Sequence, residues 1–184
     1  MKSSPLVAAA GYRVESFDMA GQYESHAAGP ENLDPPRPHY DHDLFVDDLI
    51  SVLEAGSTPV HVLGYSFAGT VAQVAFSRRP ELFASLTFLS CPPEPGQAFR
   101  GVKRIGWISS ISSGRVGASL MIGGVKANAT KVPPGRLAFV RSRFALTRRR
   151  AVDDIIGLMK RTPDVRPLPA AADLPKLVAV GEHD

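Results

Sequence analysis

The residue of this 184-residue chain best placed to do chemistry is a serine in the run Gly64-Tyr65-Ser66-Phe67-Ala68-Gly69. It follows a short apolar run, Pro59 to Gly64, and precedes a segment where Ala68, Val71, Ala72, Ala75 and Phe76 trace one helical face until Pro80 forbids continuation. Strand, sharp turn, helix is the setting that gives the loose pattern G-x-S-x-G its mechanical content. The turn lifts the serine Oγ above the sheet edge, small neighbours let strand and helix approach, and the helix N-terminus sets partial positive charge beside a developing oxyanion. Such a serine could attack a carbonyl carbon, with the backbone N–H of Phe67 as one oxyanion donor. The match is inexact, because Ala68 stands at the second glycine and Gly69 follows it. Serine is also favoured at ordinary helix N-caps, so residue type alone leaves a structural role open.

The elements that must position this turn can be read on either side of it. Residues 11–18, Gly-Tyr-Arg-Val-Glu-Ser-Phe-Asp, alternate after a glycine and are expected to form a strand running into the polar loop 18–25. Proline dominates Pro30 to Pro38, which must be a connection. From Asp41 to Ala55, Phe45, Leu49, Val52 and Leu53 fall on one helical face, with Asp41 and Asp43 at the start and Gly56 past the end. Leu82 to Ser90 reads as a buried strand. The alternation of strands and helices implies a parallel sheet. Beyond Cys91-Pro-Pro the pattern changes: Leu137, Val140 and Phe144 mark one helix and Val152, Ile155, Ile156 and Met159 another. Buried-strand composition returns at Leu174 to Gly181. The interruption reads as a helical insertion between two strands of one sheet.

Composition narrows the function classes. With 44% hydrophobic and 21% charged residues the chain is ordinary for a globular domain, and its length suits one domain with an insertion. A net charge of +3 could hint at nucleic acid, but acidic and basic residues are mixed and no recognition module accompanies them, so nucleic-acid binding is not expected. The run Arg148-Arg149-Arg150 reads as a solvated helix start or loop. The single cysteine, Cys91, rules out an internal disulfide and is expected to be buried. Leu6 to Ala10 is too brief for a signal core, and no stretch approaches the roughly 18 apolar residues of a membrane span. A cytoplasmic location is the resulting expectation. Oligomeric state is not legible.

Several of these pieces together resemble the α/β-hydrolase family over nearly the whole chain. Residues 11–18 followed by Gly21 and Ser25 are similar to the family's fourth strand and its D-x-x-G-x-G-x-S loop, with Tyr23 at the second glycine. Ser66 resembles the nucleophile elbow after the fifth strand. Arg79-Pro80-Glu81 leading into Ser85 to Ser90 resembles the helix end and sixth strand. The implied fold is a parallel-sheet α/β-hydrolase core with a helical cap, incomplete at both ends: a core at 1–91, a helical cap insertion at 92–168 and a returning core strand at 169–184. The resemblance makes Asp184, in Val180-Gly-Glu-His-Asp184, the triad acid, with Glu94 the alternative position; a terminal carboxylate without a role is the other reading of Asp184.

The same resemblance places an oxyanion loop before Met1 and a base histidine after Asp184, and it places the family's third strand between the fourth and fifth. None of His26, His39, His42, His61 and His183 stands where the family's base would, so each is expected to be structural or solvent-facing. They also lack metal-ligand spacing, and neither a metal nor a cofactor is expected. Without a base the chain is expected to hydrolyse little, since losing one triad member costs on the order of 10⁴ in rate. The implied activity of the family is serine esterase-like or amidase-like hydrolysis of a small apolar acyl compound. Phe99, Trp107, Ile108, Met121 and Phe139 would line an apolar pocket or form the cap's own core. A non-catalytic binding protein keeping the fold is the alternative, and acyl transfer or cofactor-free peroxidation would use the same scaffold.

Overall fold

A computed structural model of the chain describes residues 5–91, 134–160, 170 and 172–180. After a short helix α1 (Pro5–Ala9), single 3-10 turns at Tyr23–Ser25 and Pro30–Asn32 punctuate the loop leading to α2 (His42–Glu54). Then come β1 (Val60–Tyr65), α3 (Phe67–Arg78), a 3-10 turn at Pro80–Leu82 and β2 (Phe83–Leu89). Helices α4 (Pro134–Ala145) and α5 (Arg149–Lys160) precede β3 (Lys176–Ala179).

The three strands form one parallel sheet in the order β1-β2-β3. Tyr65 pairs with Leu89 and Leu89 with Ala179, so all three strands end at the same edge. Helices α2 and α3 cover one face. Of the apolar stripe expected along α2, Phe45, Leu49 and Leu53 are buried and Val52 only partly so; Leu44 and Val46 are buried with them, and the group meets Val71, Ala72, Ala75 and Phe76 of α3. Rings fix the registry: Phe45 stacks on Tyr40 at 6.0 Å and meets Phe67 edge-on at 5.6 Å, while Phe76 meets Phe83 edge-on at 5.4 Å. On the surface Arg78 joins α3 to Asp43 and Asp47 of α2, and Arg79 reaches Glu54 and Glu81. Exposed pairs of this kind add little beyond orientation.

Helix α2 starts at His42, one residue after the expected Asp41, which caps it. The Asp41 carboxylate accepts a hydrogen bond from the Leu44 N–H at 2.8 Å, taking up one of the donors a helix start leaves without an intrahelical partner. Asp41→Ala is expected to lower stability by about 1 kcal/mol, read from the urea midpoint, whereas Asp41→Asn should retain most of it.

Two sequence expectations are corrected. Residues 11–18 form no strand: Gly11 lies in a turn with φ 86°, 12–18 carry no regular element, and among the described residues β1 is an edge of the sheet and no backbone hydrogen bond engages 13–18. Alternation sets local extension, but a strand also needs a partner backbone within reach. The strands are also less buried than their composition suggests. Along β1 exposure alternates, and all four residues of β3 are exposed. Parallel sheets are ordinarily covered on both faces, but here the described helices pack on one, and Leu63, Tyr65, Leu177 and Val178 remain exposed.

Helices α4 and α5 occur where their apolar spacing predicts. Ala151 and Leu158 of α5 are buried in the same core as α2 and α3, and Asp154 accepts a hydrogen bond from the Tyr40 N–H at 3.0 Å. The basic run divides: Arg149 opens α5, but Arg148 is no merely solvated residue. Its guanidinium reaches Glu31, the Tyr40 hydroxyl and the Ala27 carbonyl, and its own N–H donates to the Gly21 carbonyl at 2.8 Å. It ties the start of α5 to the loop 18–41.

Candidate active site

Ser66 occupies the single residue between β1 and α3, with φ 52° and ψ −123°. Positive φ is uncommon outside glycine, and this ψ lies far from the small left-handed well near +45° that other residues use. The turn is held from several sides. The Ser66 N–H donates to the Leu89 carbonyl at the end of β2, and the Ser66 carbonyl accepts from the Gly69 N–H, each at 3.0 Å. Phe67 locks the other flank, its ring buried between Phe45 and His42. The Ser66 hydroxyl makes no capping hydrogen bond. The side chain therefore sits at a helix start without doing a cap's work.

The small residues around the serine have a measurable purpose. A Cβ on Gly64 would lie 2.5 Å from the Gly69 Cα and 2.7 Å from its nitrogen, so strand and helix backbones are in direct contact across the bend. On Gly69 it would lie 2.0 Å from the Cys91 Sγ. Cys91 is half-buried beneath the turn, less enclosed than expected, with its Sγ 3.5 Å from the carbonyls of Gly64 and Leu89. Burial pushes its thiol pKa up, with backbone hydrogen bonding at Leu89 and Ser66 opposing. The protonated thiol acts here as a small filler under the elbow.

Strain of this kind should be visible in stability. Ser66→Gly is expected to raise stability by about 1 kcal/mol, because relief of a conformation costing about 1–3 kcal/mol outweighs the added freedom of the unfolded chain. A fall in the urea midpoint of that variant would show that no strain is stored at the turn.

The other expected site residues divide. The Phe67 N–H lies in the first turn of α3, where backbone donors lack intrahelical acceptors. Asp184 and Glu94 lie outside the described residues, as do Phe99, Trp107, Ile108 and Met121. Phe139 sits on α4, largely exposed, with the Arg143 guanidinium 4.7 Å from its ring centroid. Strand β3 reaches the same sheet edge as Ser66: the Ser90 N–H donates to the Ala179 carbonyl at 2.8 Å. With strands about 4.8 Å apart, the end of β3 is about 10 Å across the sheet from the end of β1.

The histidines of the described residues point elsewhere or pack. The His26 Nδ1 is 2.8 Å from the Tyr23 carbonyl, the His61 Nδ1 is 2.7 Å from the Ser85 Oγ, and the His39 Nδ1 lies 3.3 Å from Asp154. His42 packs on Phe67, with ring centroids 5.8 Å apart. His183 lies outside the described residues. Among the described residues no cluster of three metal-ligating side chains occurs, and no helix is long and apolar enough to cross a membrane.

Sequence reasoning missed Arg143. It forms an ion pair with Asp18 at 2.9 Å and lies 3.5 Å over the Tyr23 ring, so α4 clamps the loop after residues 11–18. Tyr23 itself has φ 38°, a left-handed conformation at the position where the D-x-x-G-x-G-x-S pattern carries its second glycine. An aromatic at a glycine position was the available signal that something must hold it there.

A parallel sheet with a serine on a tight strand-to-helix bend at its carboxyl edge defines the class of α/β-hydrolase-like proteins. The sequence pattern of the alpha/beta hydrolase fold family matches residues 2–105, and the chain belongs to that family. None of the curated proteins compared by sequence matches it. Among solved structures it is similar to a carboxylesterase of the ammonia-oxidizing thaumarchaeon Nitrososphaera gargenis, with TM-score 0.63 and 16% identity over 78% of this chain and 55% of the other. It is likewise similar to a thermophilic esterase from Thermogutta terrifontis, with TM-score 0.57 and 20% identity over 78% and 54%. A third is an N-acyl homoserine lactonase, with TM-score 0.62 and 17% identity over 90% and 58%. At these identities the likeness is one of fold. The chain spans a little over half the length of the structures it matches.

Proposed function

We propose that Ser66 is the nucleophile of a serine acyl hydrolase that cleaves the ester, amide or similar carbonyl of a small, apolar acyl compound. The observation that carries this reading is the Ser66 backbone, held at φ 52° and ψ −123° between a parallel strand and a helix start, with its hydroxyl uncommitted to a cap. In this reading Ser66 Oγ attacks the carbonyl carbon and the Phe67 N–H helps to hold the resulting oxyanion. Asp184, which follows β3 in the sequence, would orient the histidine that takes the serine proton. Collapse of the tetrahedral intermediate breaks the bond to the alcohol or amine, which leaves with the proton from that histidine, and water then releases the acyl group as a carboxylic acid. The segment 92–168 would be the cap over the acyl chain. Carboxylesterase, esterase and lactonase activities named for structurally similar proteins are acyl transfers to water of this type.

A fluorophosphonate probe tests the assignment on the full chain. Slow labelling, far below the rate of an intact triad, that Ser66→Ala abolishes is the expected result. Turnover of a p-nitrophenyl ester should be some 10⁴-fold below that of an intact triad. Labelling no faster than that of Ser66→Ala, even on prolonged exposure of a folded, monomeric sample, would overturn the assignment. That outcome would favour a non-catalytic binding protein, for which the commitment of His26, His39 and His61 to other partners is the supporting observation.

A further inference from the structure

The serine bend is fixed on its strand side by backbone, through the Ser66 N–H and the Leu89 carbonyl. On its helix side the Ser66 hydroxyl caps nothing, and the bend moves with the first turn of α3, which the core grips by the Phe67 ring. That ring meets Phe45 edge-on at 5.6 Å, and Phe45 stacks on Tyr40 at 6.0 Å. All three are buried, and a close-packed interior passes a displacement on rather than absorbing it. Tyr40 is where this row of rings meets α5. Its N–H, outside any helix or strand, has no acceptor among the described residues but the Asp154 carboxylate at 3.0 Å, whose other oxygen lies 3.3 Å from the His39 Nδ1. The Tyr40 hydroxyl donates to the Ala28 carbonyl at 3.2 Å. Gly21 is pinched between the two elements: a Cβ there would lie 2.7 Å from the Tyr40 hydroxyl and 2.6 Å from the Ala151 Cβ of α5.

We infer, on the reading of Ser66 as the nucleophile, that Asp154 of α5 is a positioning residue for it, acting through Tyr40, Phe45 and Phe67. Removing the carboxylate leaves the buried Tyr40 N–H unpaired, and Tyr40 must shift to find another acceptor. Phe45 follows its stacking partner, and the Phe67 ring follows Phe45. The Ser66 Oγ and the Phe67 N–H then turn together, because one planar peptide joins the two residues. Nucleophile and oxyanion donor must address a single carbonyl group, so a displacement well below the length of a bond is felt in the rate. The aim of the serine is thereby tied to the segment proposed to cover the acyl chain.

The test measures, on the full chain, the rate of fluorophosphonate labelling of the folded fraction and the amide chemical shifts of Ser66 and Phe67. Asp154→Ala should slow labelling about five- to tenfold and move both amide resonances. Asp154→Asn, which keeps an acceptor oxygen for the Tyr40 N–H, should restore both. Tyr40→Leu, which keeps the hydrogen bond but removes the stacked ring, should slow labelling to a similar extent, and takes the place of Asp154→Ala should that variant not fold. Arg143→Ala, which frees α4 from Asp18 and Tyr23 instead, should change neither readout. In a Phe45→Leu background, Asp154→Ala should slow labelling by less than about twofold more. Equal labelling by the wild-type chain and Asp154→Ala, unmoved amide resonances, or full additivity with Phe45→Leu would each overturn the proposal. A wild-type chain that the probe leaves unlabelled would remove the reading of Ser66 itself, and the two resonances then decide whether α5 sets the bend.

Discussion

Gly64→Ala is expected to destabilise the folded chain by about 3 kcal/mol, at the upper end of what overpacking costs. The added Cβ would lie 2.5 Å from the Gly69 Cα, 2.7 Å from its nitrogen and 2.8 Å from the Ala68 carbonyl oxygen. All three are backbone atoms of the first turn of α3, so no side-chain rotation relieves the clash and the helix must move bodily off β1. Gly69→Ala offends a side chain instead, the Cys91 Sγ at 2.0 Å, although the Cys91 Cβ is also close at 3.3 Å. Cys91→Ala should therefore restore part of the loss from Gly69→Ala and none of the loss from Gly64→Ala. A double-mutant cycle in urea checks this coupling, expected at about 1 kcal/mol or more for the first pair and near zero for the second. Gly135→Ala on α4, where an added Cβ meets nothing within 4 Å, is the neutral control. Equal costs for all three glycines would show that strand and helix do not touch at the bend.

Phe45→Ala is expected to cost about 3–5 kcal/mol, enough to unfold a marginal domain. Phe45 is 1% exposed and joins three layers, stacking on Tyr40 of the loop and meeting Phe67 of α3 edge-on. Phe67 follows Ser66, so Phe45 also sets the angle at which the first turn of α3 leaves the bend. The milder Phe45→Leu separates the two effects. It should lower stability less and still slow fluorophosphonate labelling of the folded fraction by several-fold. Phe76→Leu, at the far end of α3 against Phe83, should cost comparable stability and leave labelling of the folded fraction unchanged. If both variants label at the same rate, Phe45 is a core residue with no bearing on the turn.

Much of this architecture was legible because the signals are local. The helical face of α2, the acidic residues at its start, the proline that ends α3, and the pairing of small residues with Ser66 each follow from spacing within one element or one turn. What escaped depends on partners remote in sequence. Residues 11–18 have the alternation of a strand, but pairing is decided by what lies within hydrogen-bonding distance, which no local pattern records. Arg143 and Arg148 look like ordinary surface cations, and only the packing of α4 and α5 reveals that they hold Asp18, Tyr23 and Glu31. The exposure of β3 was hidden for the same reason: apolar composition reports what a strand could bury, whereas its neighbours decide what it does bury.

The brevity of β3 has a kinetic corollary. Four residues, joined among the described residues to β2 alone and with every side chain exposed, make the weakest seam in the sheet. Local opening energies scale with buried contacts, so this strand should peel away in excursions that leave β1, β2 and the α2–α3 layer intact. The serine bend, built into the sturdiest part of the molecule, waits for its neighbour to dock.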